Sequence, residues 1–276
     1  MLATFVIGLR EGVEASLIVG IVAAFLRQRG AGRDLRWVWL GVGTAAALCA
    51  AVAVALEVID SNLPERQQEG LETVIALVAV AMVTSMIVWM ARNARSLRGE
   101  LEQRAGTALA QGSVVALATM AFLAVLREGF ETAVFLLSAF QASADRVATS
   151  LGAGLGILLA VVVGVAIYRG GMRINLARFF TATGLVLVVV AAGLMAFAAH
   201  TGAEAGWIDV GQAQLVDLSA LVRPGSVQSA LLTGVLGIQP RPTIIEGAAW
   251  AAYLVPAVLF VVLTGRRPRR STPAVA

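Results

Sequence analysis

The chain has 276 residues, a mean hydropathy of +0.85, 59% hydrophobic residues and only 14% charged ones, against about 25% charged in soluble domains. Long uncharged apolar runs place it in a membrane and exclude an ordinary soluble enzyme or binding module. The formal net charge of +4 does not mark a nucleic-acid binder, because every basic residue is Arg and most sit in short loops between apolar runs. A single cysteine, Cys49, excludes an internal disulfide and a soft Cys cluster, and reads as a small buried hydrophobe.

In chain order, seven segments are long enough to cross a core of about 30 Å at about 1.5 Å per residue. They lie at 2–26, 37–58, 71–91, 111–140, 148–168, 179–200 and 248–264. The first has no basic leader, and Arg10, Glu11 and Glu14 interrupt its apolar run, so it reads as a span and not as a cleavable signal. The expected fold is an all-α polytopic membrane protein with one transmembrane domain over residues 1–264 and a basic cytoplasmic tail at 265–276.

Arginine placement sets the expected orientation. Arg27, Arg29, Arg33, Arg36, Arg92, Arg95, Arg98, Arg104, Arg169, Arg173, Arg178, Arg266, Arg267, Arg269 and Arg270 fall on one side. Only Arg66, Arg146, Arg223 and Arg241 fall on the other. Positive charge favours the cytoplasm, so the N-terminus is outside and the C-terminus inside. Trp37, Trp39, Trp89, Trp207 and Trp250 lie at or near span ends, as an interfacial belt requires. The acids are biased the other way: Glu57, Asp60, Glu65, Glu69, Glu72, Asp145, Glu204, Asp209, Asp217 and Glu246 lie toward the outer face. They are either solvated loop charges or a vestibule whose field gathers cations. The outer loop 201–247 contains a stretch, Val227–Ile238, apolar enough to lie in the interface or re-enter between helices.

The first span carries Arg10-Glu11-Gly12-Val13-Glu14, and the fourth repeats it as Arg127-Glu128-Gly129-Phe130-Glu131. Three spans separate the copies, so they run in opposite directions through the bilayer. That implies an inverted 3+3 repeat, about 1–92 and about 111–200, plus one further span. Each motif lies about 15 Å from the outer end of its span, near the midplane. At about 100° per residue, Arg10, Glu11 and Glu14 share an arc of about 100° and can face one cavity. Arg10 with Glu14, and Arg127 with Glu131, stand at i,i+4 and can pair, which leaves Glu11 and Glu128 freer for a ligand. On the opposite face, Gly8, Gly12, Ser16 and Gly20 form a stripe suited to close helix contact, internal or in a dimer.

Four glutamates and two arginines leave a formal −2 at midplane, which a divalent ion would neutralise. Carboxylates are hard donors and exclude a Cu(I) site without separating iron from Mn, Mg or Ca. Purely structural ion pairs are the plainer alternative, but six buried charges in two matching copies are costly for structure alone. A second acidic face, Glu65, Glu69 and Glu72, opens the third span and reads equally as an outer metal site or as acids favouring a helix N-terminus. His200, the one histidine, reads as an interfacial residue.

These residues resemble the high-affinity iron permease family, the oxidase-dependent iron transporters of fungi and the EfeU-like permeases of bacteria. The family motif is usually written Arg-Glu-Gly-Leu-Glu; here Val13 and Phe130 occupy its apolar position. Glu69–Glu72 looks like the family's outer Glu-x-x-Glu element. Met86–Met90 with its Arg-rich loop, Gly237–Pro240 and Thr243–Tyr253 resemble the third span and the approach to the last, so the likeness covers about residues 1–264. The resemblance implies an iron permease of the cell membrane with Glu11, Glu14, Glu128 and Glu131 as metal ligands, Arg10 and Arg127 in support, and no resident cofactor. It also implies extracytoplasmic partners, a cupredoxin-like protein with a haem peroxidase, or a ferroxidase. Two other functions remain open. One is a proton-coupled transporter of another hard divalent cation. The other is an intramembrane enzyme, for which a zinc His-Glu-x-x-His run and paired cysteines are both missing.

Overall fold

The computed structural model describes residues 1–28, 30, 32–93, 114–143, 145–169, 176–218 and 236–265. Seven α-helices account for nearly all of them: α1 Leu2–Gln28, α2 Leu35–Asn62, α3 Glu65–Asn93, α4 Val114–Gln141, α5 Arg146–Tyr168, α6 Leu176–Glu204 and α7 Ile244–Gly265. Among the described residues there is no strand, only an isolated bridge between Gln214 and Thr243. Arg29, Arg95, Arg98, Arg104, Arg173, Arg223, the tail arginines and most of the 227–238 stretch lie outside the described residues.

The helices match the seven apolar segments and overrun most of their ends. Local chemistry accounts for several of these ends. Pro64 precedes α3, where its missing N–H costs nothing. Asp145 caps α5 by accepting from the Ala148 N–H. Thr243 and Glu246 form a reciprocal capping box at the start of α7. Past the end of α6, Gly206 takes φ +76°, which lets Trp207 N–H reach the Gly202 carbonyl and Gly206 N–H reach Ala203.

Five helices, α2, α3, α5, α6 and α7, are long and apolar enough to cross a membrane. The other two are of similar length, but each carries the three charges of its Arg-Glu-Gly-x-Glu motif. Large apolar side chains on α2, α5 and α7, such as Leu40, Val54, Leu158, Val162, Val255 and Leu259, are exposed. On a polytopic protein such faces meet lipid. Trp37, Trp39, Trp89 and Trp207 are exposed as well, and Trp250 donates to the Leu236 carbonyl.

The packing has an internal order. α1 lies along α5 and α4 along α2; α1 crosses α4, α3 packs on α6, α3 touches α4, and α6 touches α1. Exchanging α1 with α4, α2 with α5 and α3 with α6 returns this same set of contacts. α7 packs mainly on α6. The largest apolar cluster joins α1, α3, α4 and α6 through Ile7, Val83, Phe135, Leu187 and Val188. Hydrogen bonds from Thr73 to Thr201 and from Thr84 to Tyr253 tie α3 to α6 and α7.

Small residues line the contacts of α1 with α5 and of α4 with α2. A Cβ on Gly12 would stand 2.6 Å from that of Ala160 on α5, and one on Gly129 would stand 2.7 Å from Cys49 Sγ on α2. Gly8 and Ser16 also meet α5, whereas Gly20 has nothing close to its Cβ position. Three of the four stripe residues therefore serve packing within the chain. Cys49 is buried, as its apolar surroundings suggest.

Met1, the end of α2, the start of α3, the start of α5, the end of α6 and the start of α7 share one end of the bundle. Arg146 pairs with Glu57, Arg66 Nε donates to the Ala205 carbonyl, and His200 bonds Glu246 there. This is the acid-rich end. From it, the described part of the long loop turns inward: Gly237, at φ +65°, lies against Gly193 so closely that neither could carry a Cβ. Gly193 is eleven residues, about 16 Å, down α6 from Glu204.

Candidate metal site

The crossing of α1 and α4 brings the two motifs together. One carboxylate oxygen from each of Glu11, Glu128 and Glu131 lies within 4.8 Å of the others, and all three residues are buried. Among the described residues this is the only such group of three. Glu14 stands beside it, with its carboxylate facing Glu128 across the crossing. Four like charges this close need protons or a cation between them. Glu11 Oε2 and Glu128 Oε2 are buried with no hydrogen bond, and Glu14 Oε1 meets only Arg10 Nη2, at 3.4 Å. Buried carboxylate oxygens converging from two helices are what a hard cation takes as ligands.

The arginines differ in their settings. Arg10 is 1% exposed. Its Nη1 donates to Glu11 Oε1 at 3.0 Å and to Met86 Sδ, its Nη2 is 3.4 Å from Glu14, and its guanidinium lies over the Phe180 ring. Arg127 is 61% exposed at its side chain, with Nε 3.0 Å from Glu131 and 3.7 Å from Glu128. The i,i+4 pairing expected of both motifs is thus the shorter contact in α4 only. In α1 the adjacent Glu11 is held more closely, because burial against α3 and α6 turns the guanidinium toward it.

At the acid-rich end, Glu65 is exposed while Glu69 and Glu72 are half-buried. They look different ways: Glu69 faces Glu204 and His200 on α6, and Glu72 faces Asp60 on α2. His200 is hydrogen-bonded to Glu246 at 2.9 Å and lies 3.5 Å from Glu204, so it bridges α6 and α7. Several polar partners escape a reading of the motifs alone. Met86 and Phe180 sit in apolar runs and signal nothing by themselves. Ser138 and Gln141, however, stand seven and ten residues beyond Glu131, and the helical period alone would place them on its face.

A bundle of long apolar helices around a cluster of buried carboxylates defines a multi-pass membrane protein, and ionisable groups at such depth are the usual mark of a transport path. The comparisons with known proteins agree. The model of the iron permease FTR1 family matches residues 1–266. A protein named ferrous iron permease EfeU from Escherichia coli O6:K15:H31 (strain 536 / UPEC) is 40% identical over 268 residues, 96% of this chain and 97% of its own length. Its namesake from Shigella sonnei (strain Ss046) has the same identity and coverage. The one from Yersinia pestis is 38% identical over 278 residues, 100% of this chain and 98% of its own. No solved structure matches the chain significantly. The chain belongs to the iron permease FTR1 family.

Proposed function

We propose that the chain carries iron, as Fe²⁺, into the cytoplasm through the cage formed by Glu11, Glu14, Glu128 and Glu131. The observation that carries this reading is the convergence of buried carboxylate oxygens from both motifs at one crossing. The formal −2 of four glutamates and two arginines balances a divalent ion, and the relatives are named ferrous iron permeases. Arg10 and Arg127 hold the carboxylates in place and offset part of their repulsion.

In this reading all seven helices span the membrane of the cell, α1–α3 and α4–α6 being inverted repeats. The invariance of the packing under exchange of the two halves supports it. Arginine bias puts the acid-rich end outside, with Glu69 and Glu72 as a first receiving surface for the ion. Extracytoplasmic redox proteins of the cupredoxin-like, haem-peroxidase or ferroxidase kind would set the oxidation state of the iron delivered.

The test is uptake of radioactive iron into proteoliposomes under reducing and oxidising conditions, with Mn²⁺ and Mg²⁺ as competitors. Wild type is expected to take up Fe²⁺, and Glu11→Gln and Glu128→Gln variants that still insert are expected to lose at least about 100-fold in rate. Undiminished uptake by both variants would sink the cage. Preference for Mn²⁺ would move the substrate to another hard divalent cation, and an extracellular C-terminal reporter would overturn the orientation.

A further inference from the structure

Between the acid-rich end and the cage, α4 presents a polar line. Ser138 and Gln141 share the face of Glu131, and Gln141 lies about 15 Å further along the helix. Ser138 is fully buried and its Oγ has no hydrogen bond; both amide atoms of Gln141 are buried without one. Opposite Gln141, on α2, stands Asp60. It is 6% exposed, so more than nine-tenths buried, and its Oδ1 has no hydrogen bond. The Asp60 carboxylate faces the side-chain amides of Gln141 and of Gln68 on α3, and Glu72 of α3 faces both Asp60 and Gln68, with Arg146 of α5 the nearest counter-charge to both acids.

A buried carboxylate with an oxygen left unmet beside two amides is costly. Three helices would not converge such groups for packing, since apolar residues fill the same volume better. The donors offered are two carboxylates and two amide oxygens, all hard. We propose that Asp60, Gln68, Glu72 and Gln141 form a second cation site at the acid-rich end, a staging site from which a divalent ion passes by Ser138 to the cage. This deepens the iron-permease reading and rests on it for the identity of the ion. The site has two acids against the cage's four, so it binds more weakly and releases inward.

Its existence is tested apart from transport. Full-length protein purified in detergent, carrying Glu11→Gln, Glu128→Gln and Glu131→Gln together, is titrated with Fe²⁺ under reducing conditions by equilibrium dialysis. One weaker site is expected to survive in this triple variant and to vanish when Asp60→Asn is added. In the otherwise wild-type protein, Asp60→Asn and Gln141→Leu are each expected to raise the KM for uptake about tenfold with little change in maximal rate. Gln141→Leu removes a donor without removing charge, so it separates ligation from a field effect. A rise in KM for Asp60→Asn alone would overturn the four-donor site, as would residual binding indifferent to Asp60→Asn. Should wild type carry no iron at all, the iron-permease reading falls, and the dialysis still decides the staging site.

Discussion

The two Arg-Glu-Gly-x-Glu copies have the same charges at the same spacing, yet the fold treats them differently. In α1 the arginine is sealed among Glu11, Glu14, Met86 and Phe180; in α4 its counterpart is 61% exposed at the side chain and makes its close ion pairs with Glu128 and Glu131 of its own helix. The motif therefore settles which charges share a helix face, while α3 and α6 settle which arginine is locked. Both glycines, by contrast, do the same work, opening room for the neighbouring helix at the crossing. The carboxylate cluster thus has a buried counter-charge on one side and a largely exposed one on the other.

The largest expected difference lies between the arginines. Arg10→Gln strands Glu11 and Glu14 in the interior and should cost about 3–5 kcal/mol. Arg127→Gln removes a largely exposed side chain from buried acids that water can reach on that side, and should cost less, about 1–2 kcal/mol. Thermal unfolding of the full chain in detergent reads both, and equal losses would break the comparison.

Next come the glycines, where the two copies should behave alike. Gly12→Ala and Gly129→Ala each force apart a helix pair and should cost about 1–3 kcal/mol. Ala160→Gly should rescue the first and Cys49→Gly the second. A double-mutant cycle without coupling in either pair would mean that the crossings adjust more freely than the distances imply.

Smallest is the hold on Arg10 by its neighbours. Phe180→Leu removes a cation–π contact worth about 0.5–2 kcal/mol when the cation is desolvated. The loss should appear in wild type and disappear in an Arg10→Gln background. If it persists there, Phe180 acts through packing alone.

Much of the fold could be read in advance because bilayer physics is coarse: seven apolar runs of sufficient length gave seven helices, with ends shifted by a few residues where caps such as Asp145 and Thr243 intervene. The helical period put the motif charges on one arc, and the structure brings Glu11, Glu128 and Glu131 to one crossing. The choice between Glu11 and Glu14 as the partner of Arg10 could not be read, because it depends on Met86 and Phe180, which are distant in sequence. Nor could the separation of Glu69 from Glu72, since each is claimed by a different neighbouring helix. Asp60 looked like one more loop acid, and only its burial beside Gln141 distinguishes it. Gly8, Gly12 and Ser16 were legible as a contact stripe, but the identity of α5 as their partner was a matter of topology.

The most direct test of the cage is a structure of the full chain soaked with Fe²⁺, with iron located by its anomalous scattering. The account predicts a peak at the crossing of α1 and α4, within coordinating distance of oxygens from Glu11, Glu128 and Glu131, and its loss in Glu128→Gln. Iron bound only away from that crossing, or a peak there indifferent to Glu128→Gln, would contradict it.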